Sequence, residues 1–235
     1  MPTSPLPHLL IVEDDQELAR MVGQYLRNNG METTTVHDGR AAFELLCDQA
    51  FDGVILDIGL PGMDGIEVCR RIRPRFAGPI LILTARGEEI DEVVALEVGA
   101  DDYMAKPVRP RALLARLKAH LRKSNATDEG SGGDGPLTVG ELKIDPAVRE
   151  VRLRGELVAL TTAEFDLLHL LALHAGKVVP RAELYEKLNG IPFQGMDRSI
   201  DLRVSRLRRK LGDDSQQPQI IKSIRGVGYL LAVRP

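Results

Sequence analysis

Through the first half of the chain, short apolar segments alternate with longer amphipathic ones. The candidate strands are His8–Val12, Thr33–Val36, Val54–Asp57, Ile80–Thr84 and Asp102–Met104. Helical spacing predicts helices over Gln16–Asn29, Arg40–Gln49, Asp64–Arg73, Ile90–Val98 and Arg111–Lys123. Continuously apolar strands alternating with helices predict an α/β fold, a doubly wound five-stranded parallel sheet covered on both faces. In such sheets the ligand site lies beyond the C-terminal strand ends. That rule directs attention to Glu13-Asp14-Asp15, Asp57, Thr84 and Lys106.

The second half changes character. Short antiparallel strands are expected at Leu137–Val139, Leu142–Ile144, Glu150–Arg154 and Glu156–Ala159, with a tight turn at Arg154-Gly155. Thr161-Thr-Ala-Glu164 has capping-box spacing and opens a helix ending near Ala175-Gly176. Further helices are expected at Arg181–Leu188 and Asp197–Leu211, and a hairpin joins Ile220–Ile224 to Tyr229–Val233. Residues 124–135 hold one small apolar residue and cannot build a core, so they read as a flexible linker. The expected domains are therefore an α/β unit over 1–123 and an α+β unit over 136–235.

With 235 residues, 43% of them hydrophobic, the chain can bury two cores. No apolar run is long enough to span a bilayer and no secretion signal is visible, so a cytoplasmic protein without membrane contact is expected. Cys47 and Cys69 sit in apolar helical patterns and read as buried free thiols. The net charge of -3 hides an asymmetry: residues 1–123 carry 15 bases against 19 acids, residues 136–235 carry 16 against 12. An anionic partner is suggested for the C-terminal half alone.

If the strands ending at Val12 and Asp57 are both central, Glu13, Asp14 and Asp57 meet in one crevice. Carboxylates packed this way repel one another, and a hard cation resolves the conflict. Mg2+ suits a site offering few carboxylates plus water and phosphate oxygens. Lys106 can supply positive charge to a phosphoryl group and Thr84 a hydroxyl donor, so the set suits phosphoryl transfer onto a carboxylate. Taken singly, these residues read as helix caps or turn formers. Four such features at four different strand ends are hard to explain that way.

Leu10-Ile-Val-Glu-Asp-Asp15, Val54-Ile-Leu-Asp-Ile-Gly-Leu-Pro-Gly-Met-Asp-Gly65, Leu83-Thr-Ala-Arg86 and Gly99-Ala-Asp-Asp-Tyr-Met-Ala-Lys-Pro107 resemble the signature blocks of flavodoxin-like receiver domains. The closer resemblance is to the OmpR/PhoB family of response regulators. It implies that a sensor histidine kinase phosphorylates Asp57, and that Glu13, Asp14, Asp57 and the Gly59 carbonyl hold Mg2+. It implies too that Thr84 and Lys106 bind the phosphoryl group and that Tyr103 is an aromatic switch, with packing on a neighbouring helix as the alternative for Tyr103. Arg86 would border the phosphate.

The same resemblance implies a homodimer on phosphorylation, through the helices near 90–98 and 111–123 and the strand between them. Glu97, Asp101, Asp102, Arg116, Lys118 and Arg122 match that pattern, whereas Glu92 and Ala112 replace a usual basic–acidic pair. Exposed salt bridges contribute about 0–1 kcal/mol each, so this loss would tune the dimer and not abolish it.

Over Arg198–Leu211, the residues Ile200, Val204, Leu207 and Leu211 form one apolar stripe. The opposite face is expected to carry Arg198, Leu202, Ser205, Arg206 and Arg209, flanked by Arg203, Arg208 and Lys210. Asp201 is expected to brace a neighbouring arginine. Such a helix fits a major groove, and Arg225 on its hairpin an adjacent minor groove; a merely solvated basic face is the alternative. Arg198–Leu211 and Ile224–Leu230 resemble the recognition helix and wing of the OmpR/PhoB winged helix, with an RstA-like stretch at 195–201. The resemblance implies contacts with double-stranded promoter DNA by these residues and Ser199. It also implies tandem half-sites roughly 10–10.5 bp apart and RNA polymerase near Asn189–Met196. Ile191 and Phe193 in that loop stay open between outward contact and inward packing.

These features together predict a two-component response regulator and transcription factor, with no enzymatic activity beyond self-phosphorylation and self-dephosphorylation at Asp57. One alternative, an aspartyl-phosphate phosphohydrolase, needs an acid or base two residues past the nucleophile, where this chain has Gly59. A phosphorylation-independent DNA-binding regulator is the other.

Overall fold

The computed structural model describes residues 5–84, 94, 98–124, 135–193 and 199–233, in two compact units, Met1–Leu121 and Arg122–Pro235. In the first unit β1 (His8–Val12), β2 (Glu32–Val36), β3 (Gly53–Asp57), β4 (Ile80–Thr84) and β5 (Asp102–Ala105) form a parallel sheet. Its order is β2-β1-β3-β4-β5. Around it stand α1 (Gln16–Arg27), α2 (Gly39–Asp48), α3 (Gly65–Ile72) and α4 (Pro110–Ser124). Every residue of β3 and β4 is buried, which is why those strands read as unbroken apolar runs. The expected helix over Ile90–Val98 lies almost wholly outside the described residues.

From β1 the chain passes first to β2 on one side and then to β3 on the other, so a crevice opens beyond the ends of β1 and β3. Val12 pairs with Leu56, which brings Glu13 abreast of Asp57. Asp15 is occupied as the N-cap of α1, accepting from the amides of Glu17 and Leu18 at 2.9 and 3.0 Å, which leaves Glu13 and Asp14 for the crevice. A Cβ on Gly65 would lie 2.0 Å from the Asp57 carbonyl oxygen, so only glycine lets α3 begin against the end of β3.

Cys69 is buried as expected, but Cys47 is exposed. Its place on α2 is about 140° round the helix from buried Ala42, on the solvent side, and the apolar neighbours in sequence obscured this.

The second unit has a four-stranded antiparallel sheet of β6 (Leu137–Val139), β7 (Leu142–Asp145), β8 (Glu150–Leu153) and β9 (Glu156–Leu157). Arg154 and Gly155, both at positive φ (55° and 87°), form the two-residue turn between β8 and β9. β9 is shorter than the expected Glu156–Ala159, because after one further bond from Val158 to Val151 the chain turns into the capping box of Thr161 and Glu164. Helices α5 (Thr162–Leu173), α6 (Arg181–Asn189) and α7 (Ser199–Lys210) follow. A second sheet, in order β10-β12-β11, comprises β10 (Val179–Pro180), β11 (Ile221–Ile224) and β12 (Gly228–Leu231). The core joins Phe165, Leu168 and Leu171 of α5 to the expected stripe of Ile200, Val204, Leu207 and Leu211. No helix among the described residues is long and apolar enough to cross a membrane.

Candidate functional site

At the crevice of the first unit, one carboxylate oxygen each from Glu13, Asp14 and Asp57 lies within 4.8 Å of the others. Glu13 and Asp57 are buried and Asp14 is exposed. Lys106, one residue past β5, places Nζ 2.8 Å from Glu13 Oε1 and 3.1 Å from Asp57 Oδ1. Burial, helped by the charge of Asp57, holds the Glu13 carboxyl above its ordinary range although Lys106 donates to it. For Lys106 burial alone would lower the ammonium, but hydrogen bonds to Glu13 and Asp57 outweigh it and the net shift is upward.

The donor set fits a divalent cation. Glu13 Oε2 is buried without a hydrogen-bond partner among the described residues, and one lysine does not neutralise three carboxylates. All-oxygen donors are those a hard cation takes. A Cβ at position 59 would lie 3.5 Å from Asp57 Oδ2, so Gly59 leaves that oxygen open. Thr84 is buried at the end of β4, and its carbonyl accepts from the Lys106 amide at 2.8 Å. Tyr103 is buried in β5. Arg86 lies outside the described residues.

Of the charges expected on the dimer face, the described ones divide into buried, internally paired groups and an exposed lysine. Asp101 and Asp102 are buried and paired within the chain, Asp101 with Arg73 at 2.8 Å and Asp102 with Arg116 at 2.8 Å. Arg116 is itself buried, because charges at the buried start of β5 need compensation inside the fold. Lys118 is exposed, whereas Glu92, Glu97 and the Arg122 side chain lie outside the described residues.

On α7, Ser205, Arg209 and Lys210 are exposed and Leu202 and Arg208 half-buried. Ser199, Arg203 and Arg206 are buried, which corrects their expected place on or beside the outward face. Arg206 pairs at 2.9 Å with Glu164, a wholly buried carboxylate at the head of α5, and Lys210 reaches the same carboxylate at 2.5 Å. Arg203 donates to Asn189 Oδ1 at 3.3 Å. Each arginine sits one position before a stripe residue, and α7 is covered more widely than a four-residue stripe implies. Arg208 donates to the Ile221 carbonyl and to Ser223, tying α7 to β11. Arg198 lies outside the described residues.

Asp201 is braced by Arg181 of α6, at 2.7 Å, and the Tyr229 hydroxyl donates to the same oxygen. Burial foremost, then the Asp201 carboxylate, pushes the Tyr229 phenol up to about 12. The Arg181 amide also donates to the Val227 carbonyl at 3.1 Å, so α6, α7 and the β11–β12 turn are fastened together. Asp213, which sequence reasoning passed over, accepts from the amides of Gln219, Ile220 and Ile221 at 2.6, 3.1 and 2.8 Å and sets the entry to β11. From Lys222 to Val227, including Arg225, the hairpin is exposed. Ile191 and Phe193 pack against the core, Phe193 edge-on to Tyr185 at 5.3 Å.

Residues 9–118 match the response regulator receiver domain, and residues 155–231 the C-terminal domain of transcriptional regulatory proteins. The chain is 40% identical over 223 residues to the sensory transduction protein RegX3 of Mycolicibacterium smegmatis, covering 95% of this chain and 98% of that one. It is 40% identical over 231 residues to the transcriptional regulatory protein RstA of Escherichia coli, covering 95% and 97%. Among solved structures, the response regulator DrrB, a Thermotoga maritima OmpR/PhoB homolog, matches with a TM-score of 0.52 at 32% identity, over 97% and 99% of the two chains. A receiver joined to a DNA-binding domain is a two-component response regulator that acts as a transcription factor, with a histidine kinase and DNA as its partners. The chain belongs to the OmpR/PhoB family, with RstA among its relatives.

Proposed function

We propose that Asp57 is the phosphoacceptor, and that its modification promotes pairing of two chains on tandem DNA half-sites. The observation that carries this reading is Lys106 Nζ at 3.1 Å from Asp57 Oδ1, with Glu13 and Asp14 beside it. A carboxylate oxygen of Asp57 attacks the phosphorus of the kinase's phosphohistidine. The P–O bond forms as the P–N bond breaks, and the electron pair leaves with the imidazole. Lys106 and the Thr84 hydroxyl then hold the phosphoryl oxygens. Glu13, Asp14, Asp57 and the Gly59 carbonyl would hold Mg2+, which when bound neutralises charge developing on the transferred group. The open space beside Gly59 admits the donor, and water as well, so slow self-hydrolysis accompanies transfer.

Phosphorylation adds about -1.5 to -2 charges, which draws Thr84 and Tyr103 toward the pocket and favours receiver pairing. Leu202, Ser205, Arg209 and Lys210 of α7 and Arg225 of the hairpin then meet DNA in the cytoplasm, with RNA polymerase alongside. Incubation with acetyl phosphate, with and without Mg2+, followed by peptide mapping of the acyl phosphate, tests the site. Mg2+-dependent label on Asp57 that disappears in Asp57→Ala is expected; label elsewhere, or label indifferent to Mg2+, overturns the reading.

A further inference from the structure

The short loop carrying Glu13 and Asp14 is held from the side by the end of β2. The Glu13 amide donates to the Val36 carbonyl at 3.1 Å, and the Glu13 carbonyl lies 2.7 Å from Nδ1 of His37. A carbonyl oxygen only accepts, so Nδ1 carries the proton and the imidazole is the donor. Two consecutive residues of another strand end therefore anchor Glu13 on both sides of its Cα. Two residues further on, the chain is pinned again, because Asp15 caps α1. Asp14, the exposed member of the acidic trio, is the single residue between these anchors.

We infer that His37 is a positioning residue for the cation site, acting through the Glu13 carbonyl to fix where the Glu13 and Asp14 carboxylates stand. The inference rests on the Mg2+ reading above and extends it to a residue outside the acidic cluster. Mg2+ demands near-octahedral geometry at short oxygen distances, so a small displacement of this loop costs affinity. Glu13 is wholly buried, and without the imidazole its carbonyl would have to find another donor by moving. Among the described residues nothing else calls for histidine at this position. Val36 ends β2, Asp38 caps α2, and the His37 side chain is exposed, so its loss opens no cavity.

Calorimetric titration of the full chain with Mg2+ alone tests this. His37→Ala should weaken Mg2+ binding about tenfold, the lower end of what partners of metal ligands contribute. His37→Asn, whose amide nitrogen occupies the place of Nδ1, should recover part of that loss. Thr34→Val, on the same strand but bonded to His8 and not to the loop, should bind Mg2+ like wild type. In parallel, the Mg2+ needed for half-maximal labelling of Asp57 by acetyl phosphate should rise in His37→Ala, with the rate at saturating Mg2+ unchanged. Equal Mg2+ affinity in wild type and His37→Ala overturns the inference while leaving the Mg2+ site standing, and an equal loss in Thr34→Val overturns it as a general effect on the strand. No Mg2+ binding by wild type removes the underlying reading itself.

Discussion

Glu164 determines what two cations of α7 are free to do. Its buried carboxylate pairs with Arg206 and Lys210, so in this fold Arg206 is an internal counter-charge. Arg206→Ala should cost about 2–4 kcal/mol in urea denaturation, because it leaves a buried carboxylate with one partner fewer. Exposed Arg209→Ala should leave the urea midpoint unchanged and lower the slope of log affinity against log salt by about 1. Equal loss of stability in both variants would contradict this division. The acidic pocket, by contrast, could be read at residue level, because strand ends converge wherever parallel strands are central. The arginines of α7 could not, since their partners Glu164 and Asn189 are remote in sequence and helical period reveals only the apolar stripe.

Between elements, fixed contacts decide geometry. Arg181, Asp201 and Tyr229 fasten α6, α7 and β12, and the raised phenol of Tyr229 makes that clasp sensitive to alkali. A phenol raised in the folded state favours folding fully below its unfolded value of about 10. That contribution is lost as pH rises through its folded value of about 12. Urea midpoints should therefore fall less steeply between those pH values in Tyr229→Phe than in wild type; parallel curves would argue against the clasp. At the junction of β3 and α3, Gly65→Ala should destabilise the receiver by about 1–3 kcal/mol in thermal unfolding, because its Cβ meets the Asp57 carbonyl. Strand positions, the described helices and the capping box were legible from apolar period and turn chemistry. The two-residue β10 was not, being too short to show a period, and neither was the early end of β9, whose two residues are exposed.

At the scale of the whole molecule, an acidic half that matches a receiver domain precedes a basic half that matches the C-terminal domain of transcriptional regulatory proteins. Pairing of receivers would convert the second DNA contact into an intramolecular one, raising affinity for a double site without any new contact to bases. Asp102 and Arg116 pair within the chain, whereas Lys118 is exposed. The most direct test is the affinity for a DNA duplex carrying two tandem half-sites, measured with and without phosphodonor, for wild type and Asp57→Ala. Tighter binding of two copies by phosphorylated wild type, with Asp57→Ala held at the unmodified level, is the predicted result. Identical affinity and stoichiometry under all four conditions would contradict the link between the pocket and the DNA.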